Sequence, residues 1–74
     1  MKELDPVVLN RPLPKFGLEE GDVGTVVHVH AEDAWEVEFV TGEGATVAVT
    51  TLRADDVRPI AGGDILHVRS LADG

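Results

Sequence analysis

Apolar and polar residues alternate along this chain with period two rather than 3.6, the mark of half-buried strands and not of helices. From Val23 to His30 the odd positions Val23, Thr25, Val27 and Val29 fall on one face, and Gly24, Val26, His28 and His30 on the other. Trp35, Val37 and Phe39 then point one way and Glu36 and Glu38 the other, after which Val47 and Val49 alternate with Thr46, Ala48 and Thr50. This predicts three strands sharing one dry interior of Val27, Val29, Trp35, Val37, Phe39, Val47 and Val49. The segments between them, Ala31 to Ala34 with Glu32-Asp33 and Thr41 to Ala45 with Gly42-Glu43-Gly44, have hairpin length and turn residues, so the strands form a meander. An earlier strand is expected at Pro6 to Leu9, and a short last one at Val57 to Ile60, where Pro59 marks an edge.

The stretch Asn10 to Gly21 holds Pro12, Pro14, Gly17 and Gly21 and reads as a long loop, with Phe16 and Leu18 folding back on the core. Arg53 to Asp56 is expected to close one tight helical turn before the last strand. A long loop, a three-strand meander, a tight turn and a short final strand make the pattern of an all-β, five-stranded, SH3-like barrel over residues 1–60. Residues 61–74 are a C-terminal extension that opens on Gly62-Gly63-Asp64 and is expected to be an added strand, a short helix or a flexible tail.

From Asp5 to Ile60 the chain resembles a small bacterial family of SH3-like barrel proteins described only as a domain of unknown function. The resemblance is carried by Leu13-Pro14, Gly17-Leu18, Gly21-Asp22-Val23-Gly24-Thr25-Val26-Val27, Trp35-Glu36-Val37-Glu38-Phe39, Ala48-Val49, Thr51-Leu52 and Arg58-Pro59. It implies a fold and no activity.

Composition narrows the functional classes. With 74 residues, 43% hydrophobic and 27% charged, the chain has room for one core and enough apolar material to build it. The absence of cysteine removes disulfides and thiolate chemistry and points to a reducing compartment, the cytoplasm. No apolar run is long enough to span a bilayer, so no membrane role is expected. Six basic residues against fourteen acidic ones give a net charge of −8, which repels phosphate backbones and anionic lipid.

Several constellations invite a chemical reading. Gly21-Asp22-Val23-Gly24 has the look of an anion cradle, but Glu19, Glu20 and Asp22 surround it with negative charge, and the turn-and-bulge reading is preferred. His28 and His30 share a face, with Glu36 and Glu38 on the next strand; the four are candidate metal ligands. The preferred reading is two cross-strand pairs: if Val29 opposes Val37, His28 faces Glu38, His30 faces Glu36 and Ala31 lies opposite Trp35. Arg11-Pro12-Leu13-Pro14 reads as a loop stiffener ahead of a proline-rich ligand, and with no tyrosine the chain lacks an aromatic groove for such ligands. One serine, no cysteine and carboxylates mostly in turns or on outward positions leave little for catalysis, so no enzyme activity and no cofactor are expected.

These readings favour a small non-catalytic protein-binding module, an accessory subunit or an inhibitor of the antitoxin or immunity kind, docking on a basic partner by electrostatic steering and strand addition through exposed strand edges and an apolar tail, with Ile65, Leu66 and Val68 as candidate contacts. The alternatives are an RNA- or ribosome-associated domain of the KOW or Tudor type, which requires Arg11, Lys15, Arg53, Arg58 and Arg69 to converge beside an exposed Trp35 or Phe16, and a structural homodimer joined through edge strands or the tail.

Overall fold

The computed structural model describes residues 1–71, and nearly all its regular structure is antiparallel strand. Strand β1 spans Pro6–Leu9, β2 Val23–Ala31, β3 Ala34–Val40, β4 Thr46–Arg53 and β5 Val57–Pro59, with a single 3-10 turn at Pro14–Phe16 in the loop after β1. They form one all-β sheet in the order β4-β3-β2-β1-β5. The sheet is open: β4 and β5 are its edges and do not pair, so the hydrogen-bonded ladder does not close into a barrel. All five strands lie where the alternation and the turn residues predict them. The segment before β5 is a hydrogen-bonded turn and not the helical one expected: the Asp56 N–H donates to the Arg53 carbonyl at 2.9 Å, while the Asp56 carboxylate accepts the Arg53 N–H at 2.9 Å. Residues 61–71 form neither strand nor helix, and residues 72–74 of the extension lie outside the described residues.

The sheet curls around one core. Val7 and Leu9 of β1, Val26 of β2, Trp35, Val37 and Phe39 of β3, Ala48 and Leu52 of β4 and Val57 of β5 are buried in a single cluster. Leu13 and Leu18 join it from the loop, bridged to one another, and Phe16 packs against it. The loop therefore folds back as its apolar residues predict.

The expected interior is right in β3 and wrong in parts of β2 and β4. In β2, Thr25 and Val26 lie opposite Glu38 and Val37, His28 and Val29 opposite Glu36 and Trp35, and Ala31 opposite Ala34, so Val27 and His30 stand outside the ladder at two bulges. Each bulge adds one residue and reverses the face of whatever precedes it. Gly24 and Val26 consequently sit over the core in place of Val23 and Thr25, while Val27 is half-buried. Val29 shares the side of Trp35 but lies at the rim and is 37% exposed. The expected pairings of His28 with Glu38, Val29 with Val37 and Ala31 with Trp35 do not form.

In β4 the inward positions are Ala48, Thr50 and Leu52, opposite Phe39, Val37 and Trp35. Val49 faces outward beside Glu38 and is 45% exposed, and Val47 falls at a third bulge and is half-buried. Leu52 decides this register: the alignment that places it against Trp35, and small Ala48 against large Phe39, turns Val49 to water.

Gly24 has a role different from the turn-and-bulge one expected of it. A Cβ there would stand 2.7 Å from Phe39 Cε1 and 2.7 Å from Val37 Cγ1, so the missing side chain lets β2 lie directly on the Phe39 ring. Gly21, at φ +95°, does serve the turn that leads into β2.

Candidate functional site

Beyond Ile60 the chain crosses the molecule as a strap tied at two points. At the first, Arg58 of β5 donates from Nη1 and Nη2 to the two oxygens of Asp64 at 2.8 and 3.3 Å, and the Ala61 N–H donates to the same carboxylate at 2.7 Å. At the second, Arg69 Nε and Nη2 donate to Asp22 Oδ1 and Oδ2 at 2.8 and 2.6 Å, and Nη2 also donates to the Gly17 carbonyl at 2.9 Å. Such planar, two-pronged arginine pairs fix geometry as well as charge. The hydrogen bond from Arg69 holds the Asp22 carboxyl below its ordinary range against the opposing effect of burial. Arg58 does the same for Asp64.

Between the two ties the apolar side chains point to water. Ile65 is 93% exposed, Leu66 68% and Val68 90%. Beneath the strap runs a groove of about 460 Å³, floored by Leu18, Val23, Val40 and Val47 and roofed by residues 67–71. The three tail residues singled out in the sequence are thus displayed together on a segment fixed at both ends.

The histidine–glutamate face lies on the outside of β2 and β3. His28 and His30 meet edge to face, ring centroids 4.6 Å apart, and His30 Nε2 is 3.2 Å from Glu36 Oε1. Glu38 sits one step away opposite Thr25, where it accepts a hydrogen bond from Thr46 Oγ1 at 2.8 Å. The structure therefore gathers His28, His30 and Glu36 and separates Glu38 from them. Among the described residues no group of three histidine, aspartate or glutamate side chains is arranged to hold a metal ion.

Each arginine is engaged by a carboxylate. Arg11 pairs with Asp56, Arg53 with Asp33 at 3.8 Å, Arg58 with Asp64, and Arg69 with Asp22 and Glu19. Trp35 is buried, so it offers no stacking surface. In Arg11-Pro12-Leu13-Pro14, Leu13 is buried and bridged to Leu18, and Pro14 opens the 3-10 turn, which is the stiffening role. Sequence reasoning missed both ties of the strap. Asp64, three residues after Ala61, carried a faint turn signal; Arg69 carried none, because its partner lies 47 residues away.

Among the described residues no helix is long and apolar enough to cross a membrane. No curated protein and no solved structure matches the chain. One family does match, over residues 3–59, a span that takes in all five strands and stops short of the strap. The chain accordingly belongs to the family described as Domain of unknown function (DUF4926).

Proposed function

We propose that the protein is a non-catalytic protein-binding module, an accessory subunit or an inhibitor of the antitoxin or immunity kind, working in the cytoplasm. One observation carries the reading: three large aliphatic side chains, Ile65, Leu66 and Val68, are held in water on a segment tied down at both ends. Ordering a loose tail opposes binding, whereas a segment already fixed by Arg58–Asp64 and Arg69–Asp22 brings its apolar surface to a partner with little further loss of freedom. A net charge of −8 suits a basic partner and speeds encounter with it. The pairing of every arginine with a carboxylate works against the RNA-binding alternative. The cysteine-free composition fits a reducing compartment.

Co-purification from the native host tests this, with the wild-type chain and an Ile65→Asp/Val68→Asp variant run side by side and the bound proteins identified by mass spectrometry. The expected result is a basic protein held by the wild type, released by salt and absent from the variant. Recovery of the same proteins with both chains, or of the bare monomer at every salt concentration, would sink the reading. Sedimentation of the purified chain separates it from the homodimer alternative.

A further inference from the structure

We infer that the free edge of β4 accepts an extended, lysine- or arginine-bearing segment of a partner protein as a sixth strand. This rests on the protein-binding reading above and names a second surface for it, the outer edge of a strand whose first residues border the groove under the strap.

The two edges of the sheet differ in what they offer. β5 is three residues long and ends in Pro59, and a short strand closed by proline is a poor template for pairing. β4 is eight residues long, pairs with β3 from Arg53 to Thr46, and within the described residues is hydrogen-bonded to no strand on its other side. Exposed edges are ordinarily blunted by lysine, proline or an inward-pointing charge. Thr46-Val47-Ala48-Val49-Thr50-Thr51-Leu52-Arg53 carries no proline, no lysine and no inward charge; its one bulge and one charged residue sit at opposite ends, leaving Ala48 to Leu52 regular and open.

Charge selects the occupant. On the outer face Val49 lies opposite Glu38 and Thr51 opposite Glu36. A strand added to β4 would stand about 10 Å from β3, two strand spacings away. A lysine or arginine on it can lay its stem over Val49 or Thr51 and bring its charge to Glu38 or Glu36. Glu43, in the turn before β4, adds a third carboxylate at one end. A second copy of this chain is a poor occupant by the same measure, because edge-to-edge pairing would bring together two molecules that each carry −8.

The test uses a synthetic peptide of alternating lysine and threonine, its glutamate-for-lysine counterpart, and amide hydrogen exchange read by NMR on the whole chain. The lysine peptide is expected to slow exchange of alternate β4 amides by about tenfold or more, the sign of new ladder hydrogen bonds. The protection should disappear at about 0.5 M salt, where charges are screened within a few ångströms. It should also disappear in Glu36→Lys/Glu38→Lys and in Val49→Lys, a substitution on the outer face that leaves the core untouched and whose folding the β2 and β3 amides report. Protection that fails to appear on β4, that appears equally with the glutamate peptide, or that arises without peptide from a dimer overturns the proposal. The Ile65→Asp/Val68→Asp variant should still take the peptide. If the strap variant loses its native partner while β4 takes no peptide, the edge proposal falls and the binding-module reading survives.

Discussion

Gly24 is the residue on which the core's tolerances are tightest. Val7 of β1 lies opposite it, and the Phe39 ring and Val37 lie where its side chain would be. Gly24→Ala puts a methyl group against two buried side chains that have nowhere to go, and is expected to destabilise the fold by about 1–3 kcal/mol, measurable by urea denaturation; an unchanged midpoint would show that Phe39 turns aside freely. Leu4 presents the opposite case. It holds φ at +71°, a conformation costly for a residue with a Cβ, while its side chain is 78% exposed. Its N–H donates to the Val26 carbonyl at 2.6 Å, which fixes the backbone in place. Leu4→Gly removes the clash and loses little packing, so it is expected to raise stability by up to about 1 kcal/mol, with thermal unfolding as the check.

At the scale of elements, the strap is an ion-paired segment with a defined acid response. The Asp22 and Asp64 carboxyls are both held below their ordinary values by hydrogen bonds from Arg69 and Arg58. A lowered carboxylate pKa means that the stabilising pair is present above the ordinary aspartate value near pH 4 and is lost as pH falls through the lowered one. The strap is therefore expected to stay tied from neutrality to about pH 5 and to come loose only below about pH 4, seen as a fall in the NMR order parameters of residues 65–69. Asp22→Asn should free the Arg69 end at neutral pH, and unchanged order parameters there in that variant would refute the tie. Strand positions were legible because alternation and turn residues are local. The faces of β2 and β4 were not, because bulges at Val27, His30 and Val47 come from matching strands of unequal length around a curved core. The candidate site divides the same way: Ile65, Leu66 and Val68 stand out as an apolar run near the C-terminus, whereas the arginine that fixes them finds its aspartate only in three dimensions.

For the whole molecule, the buried cluster ends at Val57, and no described residue of the extension belongs to it. Removing residues 61–74 is expected to leave a folded domain, with a melting temperature lowered by no more than a few degrees, since about 1 kcal/mol moves a domain of this size by roughly 4–8 °C. Calorimetry of the truncated chain decides it, and failure to fold would make the strap part of the scaffold. The match over residues 3–59 fits a self-sufficient sheet to which the strap is added. Trp35, the single tryptophan, lies between Val29 and Leu52 at the start of β3, while the strap crosses the far end of that strand near Val40 and Gly42. The indole is thus a natural fluorophore placed where unclasping leaves it dark to the event and where collapse of the interior shifts its emission to the red. One optical signal, followed beside the NMR relaxation of the strap, separates a molecule that has let go of its strap from one that has lost its fold.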